Sequence, residues 1–356
     1  MPPVRQMPGI GKLPPELLQK AIFGKLGADS NELLQGPAFG VDNAVIRVAP
    51  ATVAILKTDP VSLIPSLGVD NSAWLSVHLL ASDVATSGFR PTFALFDLNL
   101  PPRIEDNEVE AYWHGIHRAC KELGVTIAGG HAGRFVGCDY TIMGGGFMIA
   151  LGPEDRYLAS NMAREGDELL LTKGAAIATT GILAHAFPET VERNFGHEFL
   201  TRAKVYLSQF STVNDALTAA SAGVREDGVT AMHDVTEGGV FGGIFELISA
   251  SRKGGRIRKD SIPVSEETRH ICDFFGIDPY NALGEGSLLI SVRPQKTEEV
   301  QALLHDAGVQ SSRVGEILRP ENGIVLVDES GQGTLEYPEE DTYWAAYWRA
   351  VDRGWR

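Results

Sequence analysis

The sequence predicts an α/β (α+β) protein built as two domains, and three observations carry that expectation. The chain has 356 residues, more than the roughly 100–200 that one hydrophobic core commonly organises. Hydrophobic residues make up 44% and charged residues 22%, with 39 glycines and 19 prolines, a globular composition rich in turns and without a disorder signature. Two successive stretches each alternate between strand-like and helix-like hydrophobic spacing.

The first stretch opens with a short amphipathic helix over residues 14–27, started by Pro14-Pro15 and stopped by Gly27. Strand patterns at 44–48 and 52–58 flank Ala49-Pro50 and read as a hairpin. A helix over 71–86 places Trp74, Val77, Ala81 and Val84 on one face, and Gly88 stops it. A strand at 93–98 leads through Pro101-Pro102 into a second helix. There Val109, Trp113, Ile116, Cys120 and Leu123 form an apolar stripe ending at Gly124, with Cys120 in the core. Strands at 125–128 and 141–151 complete a mixed sheet covered by helices on one side.

The pattern breaks over 152–166, which sets a boundary near 155 and divides the chain into domains of residues 1–155 and 156–330. A fresh strand at Glu168–Thr172 opens the second series, with helices near 200–222, 237–252, 265–275 and 297–307. Residues 331–356 are polar and then aromatic, with Tyr343, Trp344, Tyr347 and Trp348 close together. They read as a terminal helix docked by its aromatic face; a surface for a protein partner is the competing account.

The formal net charge of -15 repels phosphate backbones and anionic lipid, which argues against nucleic acid and membrane surfaces as partners. It does not exclude a nucleotide, because magnesium turns carboxylates into anchors for phosphate. The three cysteines, Cys120, Cys138 and Cys272, are few and scattered, so neither a disulfide framework nor a Cys-x-x-Cys metal site is expected and a reducing cytoplasm fits. Residues 1–13 contain no apolar leader, and no apolar run of membrane-spanning length occurs.

No P-loop, dinucleotide fingerprint, His-Glu-x-x-His or Gly-x-Ser-x-Gly can be read. The chain instead sets acids where a lone charge is costly. Asp42 follows Phe39-Gly40-Val41 just before a strand, Asp59 ends a strand, and Asp83 sits in an apolar helix beside Val84. A hard cation with oxygen ligands would rationalise all three, the plainer alternatives being a turn residue, a cap before Pro60 and a surface charge. Lys57 shares a strand face with Asp59 and could meet the same phosphate, or form a simple ion pair. Gly129-Gly130-His131 follows a strand, where glycine permits close approach to a ligand and His131 is a candidate ligand or donor. In the second domain His233-Asp234-Val235-Thr236-Glu237-Gly238-Gly239 leads into a helix, offering N–H groups to a polyphosphate, unless Thr236 is only an N-cap. Glu285 stands in the turn Gly284-Glu285-Gly286.

Gly40-Val41-Asp42-Asn43-Ala44-Val45-Ile46, Lys57-Thr58-Asp59-Pro60, Ser82-Asp83-Val84-Ala85-Thr86-Ser87-Gly88, Gly129-Gly130-His131 and His233-Asp234-Val235-Thr236-Glu237-Gly238-Gly239 occur in this order. In that order they resemble the aminoimidazole ribonucleotide synthetase (PurM-like) superfamily, in particular hydrogenase-maturation proteins of the HypE type and the AIR synthase-related proteins beside them. The resemblance implies an N-terminal domain that forms a homodimer, a C-terminal α/β sandwich, and ATP with magnesium in the cleft. Carried over by motif, Asp42, Asp59 and Asp83 would hold magnesium and Lys57 would face the phosphates. Gly129 and Gly130 would line the nucleotide site, the loop from His233 through Thr236, Gly238 and Gly239 would close over the substrate, and His233, Asp234 or Glu285 would handle protons.

Three departures qualify the resemblance. His131 stands where the family often has an acid. No cysteine follows Cys272, whereas HypE proteins use a terminal cysteine as carbamoyl acceptor, so that reaction is not expected in cis. Residues 1–40 hold none of the reactive cysteines of selenophosphate synthetases. The implied function is an enzyme that uses ATP and Mg2+ to phosphorylate an amide, carbonyl or carboxylate oxygen of a small-molecule substrate. The alternatives are an ATP-binding maturation or assembly factor without turnover, and a small-molecule kinase of the thiamine-monophosphate kinase type.

Overall fold

A computed structural model describes residues 12–338 and 340–356. The stretch 1–11, read above as carrying no leader, lies outside the described residues. The first six strands are β1 (Leu33–Gln35), β2 (Ala44–Ala49), β3 (Thr52–Ser62), β4 (Phe93–Leu100), β5 (Thr126–Arg134) and β6 (Ile142–Pro153), joined in the order β1-β2-β3-β6-β4-β5. Only β4 and β5 pair in parallel, so the sheet is mixed. After the short α1 (Pro15–Leu18), the helices of this half are α2 (Gly68–Ala85) and α3 (Asp106–Leu123). They pack on each other, and α2 lies along β3 and β6.

The α3 stripe is rotated from the expected one. Tyr112 is buried and its hydroxyl donates to Ser62 O at 3.0 Å, while Trp113 is exposed. Cys120 is in the core, and Gly124 ends the helix at φ +75°, a left-handed turn that suits glycine. Strand β3 does not stop at Asp59; it runs through Pro60 and slips register before Ser62, a place where a strand tolerates proline.

The second sheet contains β7 (Glu168–Thr172), β8 (Val229–Asp234), β9 (Gly254–Arg258), β10 (Leu288–Val292), β11 (Ser311–Leu318), β12 (Ile324–Asp328) and β13 (Gly331–Thr334). Their order is β13-β12-β9-β11-β7-β10-β8, antiparallel except between β9 and β12. The helices are α4 (Ile177–Ala186), α5 (Pro188–Phe195), α6 (His197–Val205), α7 (Val213–Ser221), α8 (Gly239–Ala250), α9 (Glu266–Phe275), α10 (Thr297–Asp306) and α11 (Thr342–Asp352).

Both faces of this sheet are covered, which is why β7 and β10 read as unbroken apolar runs. Leu170, Leu288 and Ile290 join the core shared with α7 and α10, whereas Leu169, Leu171 and Leu289 join the core under α8. A helical layer of α4, α6 and α9 receives α11 on Tyr343, Ala346 and Ala350. The aromatic C-terminal residues are therefore largely consumed by the chain's own core, leaving Trp348 at its margin.

Two helices depart from expectation for physical reasons. The segment read as one helix over 200–222 is interrupted, because the carbonyls of Gln209 and Ser211 turn toward the buried Lys173 ammonium at 3.0 and 2.9 Å. Helix α4 has no polar face, since every residue from Ile177 through Ala184 is buried, and periodicity cannot reveal such a helix.

Candidate active site

The strands carry the candidate residues to one place between the sheets. Strand β8, at the edge of its sheet, lies against α2 and ends in His233 and Asp234, so these two belong to a buried strand end and not to the glycine-rich loop. Alternation along β8 puts Met232 in the core shared with the first sheet and Ala231 in the core under α8. Asp42 arrives from the other half on the loop before β2. That loop lies against α8 because position 40 is glycine: its φ is +73°, and a Cβ there would sit 2.6 Å from the Glu246 carbonyl oxygen. Asn43 then ties the loop to the end of α2, its amide donating to Asp83 O at 2.7 Å and to Thr86 Oγ1 at 2.9 Å.

His233 is the hub. Its Nε2 lies 2.9 Å from Glu246 Oε2, and its Nδ1 lies 2.7 Å from Asp42 Oδ1. The second contact is close but off the ring N–H direction, so Nδ1 has an ionic neighbour without an aligned hydrogen bond. Burial pulls the His233 imidazole toward neutrality; Asp42 and Glu246 outweigh it and raise the group to about 10. Conversely, burial pushes Glu246 up, and Lys12 and His233 bring it down to about 2. The other oxygen of Asp42 accepts from Ser160 Oγ at 2.9 Å.

Lys57 extends from β3 to Asp83 Oδ1 at 2.7 Å. Burial alone would lower its ammonium, but Asp83, with Asp59, Asp234 and Asp42 beyond, raises it. One lysine does not balance these acids. Burial, with repulsion from Asp234, holds Asp83 well above the usual carboxylate range despite Lys57. Burial likewise raises Asp59 against the pull of Lys57. Burial and the nearby Asp42 raise Asp234 to about 6, and its Oδ1 has no hydrogen-bond partner. Ligand atoms of Asp42, His233 and Asp234 all lie within 4.8 Å of one another. This trio differs from the expected Asp42, Asp59 and Asp83, since Asp83 is engaged by Lys57.

A second acidic group adjoins the first. Glu285 has a buried Oε2 without a partner, and burial together with Glu237 holds its carboxyl well above the ordinary range. Lys12 reaches in from the N-terminal segment, donating to Thr236 Oγ1 at 2.7 Å and lying 3.6 Å from Glu246 and 3.8 Å from Glu237. Thr236 thus serves Lys12 and is not the N-cap of α8, which is Gly238. The N–H of Gly238, read as an offer to phosphate, donates to Asp341 Oδ2 at 2.9 Å, and that carboxylate also accepts from Leu283 N and Tyr343 N. Gly239 N bonds back to Thr236 O at 3.2 Å.

Asp42, Lys57, Asp59, Asp83, His233 and Asp234 are therefore gathered, with Thr236 and Glu285 alongside. Gly129, Gly130 and His131 are not among them. They lie within β5 rather than in a turn after it, on an exposed edge strand separated from β3 by β4 and β6. Sequence reasoning missed Glu246, Lys12, Ser160, Tyr337 and Asp341. Glu246 alone had a signal, as a single charge inside the apolar helix α8.

Residues 40–150 match the family model "AIR synthase related protein, N-terminal domain" and residues 164–328 match "AIR synthase related protein, C-terminal domain". The chain is 26% identical over 273 residues to carbamoyl dehydratase HypE of Rhizobium leguminosarum bv. viciae, covering 74% of this chain and 73% of that protein. It is 23% identical over 352 residues to selenide, water dikinase of Escherichia coli, covering 89% and 94%. Among solved structures, E. coli HypE aligns with a TM-score of 0.69 at 22% identity over 92% of this chain and 98% of that one. A ThiL complex with AMPPCP and TMP aligns with a TM-score of 0.66 at 19% identity over 87% and 92%.

Proposed function

The chain belongs to the AIR synthase related family, and from that premise we propose that it is an ATP-dependent enzyme that phosphorylates an oxygen of a small amide, carbonyl or carboxylate compound. The observation that carries this reading is the surplus of buried negative charge in the cleft, where Asp42, Asp59, Asp83 and Asp234 from both halves of the chain surround Lys57. Buried charges left without compensation mark a site that awaits a ligand. Relatives named as a carbamoyl dehydratase, a dikinase and a nucleotide-bound ThiL support ATP as that ligand.

Magnesium fits the donor set. Oxygen ligands predominate, Asp234 Oδ1 is buried and unpartnered, and the mutual repulsion of Asp42 and Asp234 is what a divalent cation would relieve. Asp42 and Asp234 would hold it, with Asp59 and Asp83 within the same field. When bound, it supplies neutralisation of a polyphosphate. Lys57 fixes Asp83 and brings an ammonium into the cleft, while Glu285, whose carboxyl its surroundings hold well above the ordinary range, can give a proton on the second-domain side. The exposed, unpaired edge of β5 supports a homodimer through the first sheet.

The test is phosphate release from ATP by the purified chain with Mg2+ across candidate amides and carboxylates, beside calorimetry with a non-hydrolysable ATP analogue. Turnover that is lost in Asp59→Asn supports the reading. Tight nucleotide binding without turnover on any substrate class rejects catalysis in favour of an assembly factor.

A further inference from the structure

The cleft is linked to the C-terminal segment by a line of buried polar contacts that nucleotide binding alone does not require. Tyr337 OH donates to Glu246 Oε1 at 3.1 Å, Glu246 Oε2 meets His233 Nε2 at 2.9 Å, and His233 Nδ1 faces Asp42 Oδ1 at 2.7 Å. The side chains of Asp42, His233 and Glu246 are at most 6% exposed. The Tyr337 ring is held in place by Phe39, edge-on at 5.3 Å, and by Phe245 at 5.6 Å. Phe39 belongs to the very loop that carries Asp42.

We propose that Glu246 and Tyr337 are positioning residues which, through His233, aim the Asp42 carboxylate at the cleft. The proposal rests on the reading that Asp42 faces a divalent cation. With Nε2 committed to Glu246, the ring cannot swing away from Asp42, and Ser160 takes the second Asp42 oxygen from the far side. The off-axis geometry at Nδ1 leaves Asp42 held in place without an aligned hydrogen bond from the ring, so lone pairs stay available to a cation. Outer groups that orient a ligating side chain typically change metal affinity by about 10–100-fold when removed. The C-terminal segment is on this account part of the cation site, and Tyr337 is its contact.

The experiment is calorimetric titration of the full chain with Mg2+ in the presence of a non-hydrolysable ATP analogue, for wild type, Tyr337→Phe, Glu246→Gln and Asp42→Asn. Thermal midpoints and proton NMR of the low-field imidazole N–H signals accompany it. The expected result is a Mg2+ half-saturation weakened about 10–100-fold in Tyr337→Phe, with an unchanged thermal midpoint and a displaced His233 N–H resonance. Glu246→Gln should weaken binding at least as much; if it fails to fold, Tyr337→Phe decides. Binding by Tyr337→Phe within twofold of wild type, while Asp42→Asn loses the ion, overturns the positioning role and leaves the function intact. Wild-type Mg2+ binding in Asp42→Asn instead overturns the reading beneath it.

Discussion

Two buried polar regions of this molecule use the same residue types to opposite ends. Around the second sheet, Asp167 is wholly buried and wholly partnered: Oδ2 accepts from Arg164 N at 2.8 Å, Thr230 Oγ1 at 2.6 Å and Ser291 Oγ at 2.9 Å, and Oδ1 pairs with Arg293. At the opposite end of β7, Lys173 donates to the carbonyls of Gln209, Ser211 and Gly286 and lies 3.1 Å from Asp215, which also accepts from Thr172. In the cleft, Asp234 and Glu285 keep oxygens with no partner, and the acids outnumber the cations beside them. Burial is common to both regions; Asp167 and Lys173 are fully partnered, whereas Asp234 and Glu285 are not. A saturated polar knot fixes the fold, and an unsaturated one holds free energy for a ligand.

The sharpest way to break this comparison is to exchange the expected phenotypes. Asp167→Ala strands Arg293 and two hydroxyls, so it should cost about 3–5 kcal/mol, read as a lower urea midpoint, while turnover per folded molecule stays unchanged. Asp59→Asn should do the reverse. Turnover falls at least about 100-fold, and the thermal midpoint holds or rises, because one repelling charge has gone. Loss of stability in this variant would place Asp59 with the saturated class.

Mg2+ should then raise the melting temperature of wild type, by about 2.7 kcal/mol of stabilisation at 100 times its dissociation constant. The shift should vanish in Asp234→Asn and persist in a Lys173→Met variant that still folds.

An effect confined to acid pH, and absent at neutrality, is expected at His78, which is intermediate between the classes. Its Nδ1 lies 2.9 Å from Ser211 Oγ, its ring stacks on Trp74 at 4.1 Å, and its Nε2 has no partner. Burial lowers the group to about 4, below its value of about 6.5 in an unfolded chain. The unfolded state therefore binds more protons in that window, and stability present above about pH 6.5 is lost as pH falls toward 4. His78→Gln should flatten that limb of the stability profile.

How much could be read beforehand follows the same division. Asp42, Asp59 and Asp83 stood out as charges in costly places, and His233 and Asp234 as part of a glycine-rich approach to a helix; the structure brings them together. Glu246 obeyed the same rule within α8 and was overlooked. Lys12, Tyr337 and Asp341 sit in polar segments where charge is ordinary, so only the path of the folded chain assigns them a place. Gly129-Gly130 read as a turn because glycine usually marks one, yet an exposed edge strand asks little of its side chains. The mixed first sheet was legible from alternating spacing; α4 and the break before α7 were not, since one lacks a polar face and the other answers a lysine distant in sequence. Among the described residues no helix is long and apolar enough to cross a membrane.

Helix α2 has one further consequence. Val77, Leu80, Ala81 and Val84 share a single core with strands of both sheets, and Ser82 Oγ accepts from Thr212 N at 3.0 Å across the junction. The two lobes are thus welded along a rod and cannot gape like a clamshell. Heating should therefore melt both lobes in one step.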